Sequence, residues 1–199
     1  MTEPDRPTVT RSKSMQVTPS GPGRFRFSAR LTDSAKGGNF PGPAATIHDF
    51  GLDGEVEGPD LTLVALEVRA YSHPYAECPF VIPATQALVG KSLLSAWRRS
   101  VLGQLGGARG CTHVITMLLG LGELATMVYF LRINEQVPYT PAARADGRWT
   151  REALTVSPGL AGNVCYGLRQ DGAAMSNLAP GRPGEDSSTL LLTSAPGAS

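Results

Sequence analysis

A chain of 199 residues that is 41% hydrophobic and 18% charged has the length and balance of one globular domain with tails. Its formal net charge of +1 argues against nucleic acid as the main partner, because a phosphate-binding surface needs a basic excess to displace counterions. Three scattered cysteines are too few for a disulfide scaffold and point to free thiols or metal ligands in a reducing cytoplasm.

Residues 1–14 are polar, contain Pro4 and Pro7 and lack an apolar core, so they read as disordered and not as a secretory signal. From Met15 to Leu31 two β-rich runs flank Gly21-Pro22-Gly23, the residue types of a hairpin turn. In the second run Phe25, Phe27, Ala29 and Leu31 alternate with Arg24, Arg26, Ser28 and Arg30. A period of two with one apolar and one basic face predicts a half-buried strand. After a Gly- and Pro-rich loop at 37–43, strands are predicted at Thr46–Glu57 and Leu61–Tyr71, turning at Gly58-Pro59-Asp60. In the latter, Leu61, Leu63, Ala65, Glu67 and Arg69 share one face, and Val64, Leu66, Val68 and Ala70 the other.

The period then changes. Tyr71 to Pro83 is a proline-punctuated loop carrying His73, Glu77 and Cys78, and Pro83 to Val89 predicts a short helix. Ser92 can cap a helix in which Leu93, Leu94, Trp97, Val101 and Leu105 keep helical spacing, stopped by Gly106-Gly107. Arg98, Arg99 and Arg109 form a local basic cluster that could meet an anionic small molecule, with solvated surface charge the favoured reading. Gly110 opens a long apolar helix. Its segment Val114 to Ile133 approaches the ~20 residues that span a bilayer. Glu123 near its middle would be costly there, and Gly120 and Gly122 interrupt it, so it reads as a buried core helix. A last strand is expected near Asn163 to Leu168, and the Gly-, Pro- and Ser-rich residues 170–199 as a disordered tail. The expected fold is α+β: one domain over 15–169, an antiparallel meander followed by two or three helices packed on one face.

Gly106-Gly107-Ala108-Arg109-Gly110-Cys111-Thr112-His113 is the stretch richest in chemistry. Glycines permit a tight turn just before a helix. The helix N-terminus offers unpaired N–H groups and a positive field that favours a thiolate. Thr112 can cap the helix, and the same field disfavours a proton on His113. The segment lacks the phosphate-loop pattern and its lysine. Two chemistries follow. A metal site for zinc or iron would draw on Cys78, Cys111, His113 and Cys165, with His48 as alternate, since structural zinc takes about four ligands. A metal-free site would use Cys111 as nucleophile or acid, with His113, His48, Asp49 or Glu123 handling protons. His48 and Asp49 are neighbours and point to opposite faces of a strand, so they are no ready-made dyad. A third account makes every cysteine a small buried hydrophobe.

The stretch from Thr46 to about Phe130 resembles a bacterial family known only as domain of unknown function 2889. The resemblance is carried by His48-Asp49 entering a strand, Cys78-Pro79 in a loop and Gly110-Cys111-Thr112-His113 at a helix start. Gly106, Gly107 and Trp97 match further family positions, and Asn163-Val164-Cys165-Tyr166-Gly167-Leu168 with Asp171-Gly172 echoes a late cysteine segment. The chain departs from the family at Met117, where members carry an acidic residue one turn after the histidine. It departs again at Phe50-Gly51, where members have a tryptophan. The resemblance supplies no reaction; it implies accessory or catabolic proteins associated with aromatic, steroid or acyl-thioester metabolism.

The expected function is therefore a cytoplasmic small-molecule enzyme of lyase, isomerase or hydrolase type, acting on a largely apolar metabolite in a pocket between sheet and helices. The alternative is a non-catalytic, zinc-stabilised binding or partner-recruiting module, which chelation would melt. Neither nucleic acid nor a membrane is an expected partner, and a homodimer is left open.

Overall fold

Alternating apolar and polar residues lay down four long strands: β1 (Thr8–Gly21), β2 (Arg24–Lys36), β3 (Ala45–Glu57) and β4 (Thr62–Ser72). They form one antiparallel sheet in the order β1-β2-β3-β4, a meander. The computed structural model describes residues 6–40, 42, 44–157 and 165–178. The first strand starts at Thr8, so residues 8–14, expected to be disordered, are paired along β2 from Lys36 to Arg30. Their polar composition fits an edge strand whose outer side meets water.

The meander fixes which side chains share a face. On one face stand Phe25, Phe27 and Leu31 of β2 with Phe50, Leu52 and Val56 of β3, all sealed from solvent. Gly54 is required among them: a Cβ there would lie 2.5 Å from the Phe27 ring and 2.4 Å from the Ala65 carbonyl oxygen. The opposite face carries the arginines of β2, matched with acids: Arg24 with Glu57 at 2.7 Å and Arg30 with Asp49 at 2.8 Å. Arg24 and Arg30 are thus neutralised within the sheet. Both faces of β4 look apolar in sequence because a bulge intervenes. Val56 pairs Leu63 and Glu55 pairs Ala65, leaving Val64 as the extra residue. Leu61 and Leu63 before it and Leu66 and Val68 after it are therefore all buried.

The chain divides into two compact units, Met1–Ala125 and Thr126–Ser199, where composition points to one domain over 15–169. In the first unit the sheet is followed by 3₁₀ turns at Cys78–Val81 and Pro83–Leu88, then α1 (Trp97–Leu105) and α2 (Thr112–Gly120). The α+β expectation holds, with α2 against the core faces of β2 and β3. Ser92 does accept from the N–H groups of Leu94 and Ser95, yet the helix begins only at Trp97. Two features delay it. Gly90, Leu93 and Lys91 hydrogen-bond to the start of β4, and Ala96 sits in the left-handed region at φ 54°. Trp97 then donates its indole N–H to the Leu118 carbonyl at 2.7 Å, tying α1 to α2.

The predicted long helix is interrupted at Leu121–Glu123 by a 3₁₀ turn before α3 (Leu124–Gln136). Gly120 precedes the break and Gly122 lies within it. The run Thr112–Gln136 is long and apolar enough to cross a membrane by length and composition, with a hydropathy of 1.8. Within it Val114, Leu118, Leu121 and Leu124 are fully buried, and 33% of its apolar window is buried in all. The second unit continues α3 and adds α4 (Pro141–Ala145), α5 (Arg148–Val156) and α6 (Ala173–Ser176). Thr140 caps α4 by accepting from the Ala143 N–H. The strand expected at Asn163–Leu168 is a 3₁₀ turn at Tyr166–Leu168 where described, and Asn163 and Val164 lie outside the described residues. Of the tail expected to be disordered, Ala173–Ser176 is helical; 179–199 lies outside the described residues.

Candidate active site

Strand register alone assembles the first half of the site. Arg11 of β1 pairs with Asp33 of β2, and Asp33 pairs with His48 of β3. Directly opposed residues of antiparallel strands point to the same face, so the three stand in a row on the core side. Immediately beyond them the register slips, Asp33 facing His48 but Ser34 facing Thr46. The second half comes from α2. Its N-cap is Cys111, with Thr112 as the first helical residue, so the cap expected of Thr112 falls one residue earlier. Cys111 makes no side-chain cap bond, leaving its sulfur free. The Ile115 N–H bonds to the Cys111 carbonyl at 2.9 Å and starts the helix there.

These pieces meet at Asp33. Arg11 donates Nε–H to Oδ1 at 2.6 Å and a terminal N–H to Oδ2 at 2.7 Å, a bidentate fork. Oδ2 also lies 3.0 Å from Nδ1 of His48 and 3.2 Å from Nε2 of His113. The aspartate side chain is only 7% exposed, the two imidazoles 14% and 18%. The His48 and His113 rings stack with centroids 3.7 Å apart, and Phe50 lies parallel to His113 at 5.8 Å. On the far side of His113, Nδ1 is 3.6 Å from Sγ of Cys111. A continuous line therefore runs from thiol through imidazole to carboxylate.

Charge follows from this packing. The Arg11 hydrogen bonds hold Asp33 well below its ordinary value of 3.8, at about 2, against the opposing effect of burial. Asp33 is thus an acceptor only: His48 Nδ1 meets it in hydrogen-bond geometry and His113 Nε2 at ion-pair distance. His113 is pushed below its usual 6.5, chiefly by burial, then by neighbouring His48 and Arg11. The direction is the one expected from a helix N-terminus; the causes are burial and the neighbouring His48 and Arg11. A neutral His113 that donates Nε2–H to Asp33 presents an unprotonated Nδ1 to Cys111.

The sequence-derived candidates separate. His48, His113 and Cys111 come together, joined by Asp33 and Arg11, which the sequence reading missed. Asp49 lies on the open face, bound by Arg30, as its opposite side-chain direction requires. Glu123 is exposed in the 3₁₀ turn after α2. Cys78 lies in the 3₁₀ turn Cys78–Val81, and Cys165 is an exposed residue of the second unit. Among the described residues, the group of His, Cys, Asp and Glu side chains placed to share one ion is Asp33, His48 and His113, which includes no cysteine. The missed signal was legible: Asp33 continues the apolar phase of β2 between buried Leu31 and Ala35, and a carboxylate on that phase needs partners.

Two hollows border the sheet of the first unit. A cleft of about 130 Å³ lies between β1, β2 and α2 on the core side. A wider one of about 320 Å³ lies on the open face beside Arg30, Asp53 and Tyr71, away from the cysteine. Neither is lined by the glycine-rich turn that precedes Cys111.

No curated protein and no solved structure matches this chain. A family model described as a protein of unknown function (DUF2889) matches residues 9–127, which hold every residue of the site just described. With well over half of its length matched, and with the His48, Cys111 and His113 positions inside the match, the chain belongs to that family.

Proposed function

We propose that this protein is a small-molecule enzyme of hydrolase type, within the wider lyase, isomerase or hydrolase class, using Cys111 as nucleophile. The observation that carries this reading is the unbroken line from Cys111 Sγ to His113 Nδ1 at 3.6 Å, and from His113 Nε2 to Asp33 Oδ2 at 3.2 Å. That is the arrangement a thiol nucleophile needs: a base in reach and a third group fixing the base's tautomer. His113 Nδ1 takes the thiol proton as Sγ bonds to an electrophilic acyl carbon, and returns it to the departing group. Water, losing its proton to the same nitrogen, then cleaves the thioester and regenerates the thiol. The thiol–imidazole separation is loose for the free protein and would tighten when substrate is bound.

A bound zinc or iron ion is a second reading, favoured by the Asp33, His48 and His113 ligand atoms lying within 4.8 Å of one another. Against it stands Arg11, whose guanidinium already occupies both Asp33 oxygens and would face the cation at close range. The thiol reading leaves the Arg11 fork in place; the metal reading must displace it.

Incubation with p-nitrophenyl acetate followed by peptide mass spectrometry tests the proposal. The expected result is acetylation confined to Cys111 and abolished in His113→Gln. Equal labelling of Cys78, Cys111 and Cys165, unchanged by that substitution, would overturn it. Stoichiometric zinc or iron in the purified protein, lost in Asp33→Ala, would favour the metal reading instead.

A further inference from the structure

The cleft of about 130 Å³ on the core side is walled by Lys13 and Met15 of β1, Ala29 of β2, Thr116 and Met117 of α2, and Glu123 beyond it. It begins where the Asp33 cluster ends. Lys13 is two residues along β1 from Arg11, about 7 Å at strand rise. Met117 is four residues along α2 from His113, about 6 Å at helical rise. The floor is apolar, formed by the methionines and Ala29. Three charged residues border it: Arg30, committed to Asp49, and Lys13 and Glu123, neither of which takes part in a salt bridge among the described residues. Lys13 also has no acid opposite it in the sheet: its register partner is Leu31, fully buried. Arg11, the other cation on that face, is already committed to Asp33.

An unpaired ammonium at one end, a thioether-lined middle and a carboxylate at the other end select a particular ligand. We propose that this cleft binds a small organic monocarboxylate, its anionic group on Lys13 and its short apolar body on Met15 and Met117. A cleft of about 130 Å³ that opens to solvent suits a short chain or a single ring. Glu123 sets a second rule: a ligand charged negatively at both ends is repelled, whereas one with a neutral or hydrogen-bond-donating end is accepted. Cys111 does not line this cleft, so the binding of the carboxylate stands apart from the thiol reading.

The experiment is a titration of full-length protein carrying ¹³C-methyl methionine with hexanoate, hexanol and adipate. Hexanoate is expected to shift the Met15 and Met117 methyl signals with a Kd on the order of millimolar. Hexanol should bind about fivefold more weakly, the upper end for an exposed ion pair, and Lys13→Met should erase that difference. Adipate should bind more weakly than hexanoate, and Glu123→Gln should narrow the gap. Cys111→Ala should leave every one of these titrations unchanged. Absence of methyl shifts with hexanoate, or shifts indifferent to Lys13→Met, would overturn the proposal. Normal titrations in a protein whose Cys111 shows no selective acylation would sustain the cleft and remove only the thiol chemistry.

Discussion

Asp33 is the residue on which the site turns. One buried carboxylate accepts from an arginine fork and stands within hydrogen-bond distance of two imidazoles, so its loss would leave three donors without their shared acceptor. We expect Asp33→Asn to slow alkylation of Cys111 by iodoacetamide about tenfold near neutral pH, and His113→Gln to do the same, since each removes the oriented base. Peptide-resolved rates would check both. The pH dependence has a definite sign. His113 is lowered from 6.5, so it stays a competent neutral base at pH values where a free histidine is charged, and the acid limb of base-assisted alkylation should fall below 6.5. The same lowering means that acidification beneath 6.5 favours the unfolded chain through this group. Asp33 works from the other side. Its contribution is complete above the ordinary 3.8 and disappears as pH falls toward about 2. Urea midpoints measured across those two windows should decline in both, and Asp33→Asn should flatten the more acidic decline.

At the scale of elements, the sheet is held by register and the helices by a few specific contacts. Gly54→Ala would press a methyl group into Phe27 and the Ala65 carbonyl. We expect a loss of about 1–3 kcal/mol, the usual cost of overpacking, seen as a lower midpoint at unchanged m-value. Ala96 holds a left-handed conformation that favours glycine. Ala96→Gly should therefore stabilise the protein by about 1 kcal/mol in the same measurement. Much at this scale was legible in sequence: the hairpin at Gly21–Gly23, the turn at Gly58, the stop at Gly106 and the helix start just after Gly110, though with its cap one residue before the Thr112 expected. The first strand was not. Thr8 to Ser14 has no apolar alternation, and it forms a strand because β2 offers it an open edge. The delayed start of α1 was equally hidden, because residues 90–93 are drawn into pairing with β4. A bulge, unseen in the alternation, decides which leucines of β4 are buried.

At the scale of the whole molecule, the family match ends at residue 127 and the first compact unit at Ala125. Every group of the candidate site falls inside both. A chain ending after Gln136, which keeps α3 intact, should fold and retain the alkylation behaviour of Cys111. Circular dichroism and peptide-resolved rates would check this, and loss of either would show that the second unit is needed. What the sequence by itself determined is local: the strand and helix periods, the turns, the α+β class, and the placing of Cys111 and His113 at a helix start. It also placed His48 and Asp49 on opposite faces, because a strand alternates. Only the tertiary structure decided which chemistry those residues share. Arg11, Asp33, His48 and His113 lie in three strands and a helix far apart in the chain, and no local spacing connects them. They meet because cross-strand register and the packing of α2 on the sheet bring them there, and both are settled by burying apolar surface elsewhere in the unit.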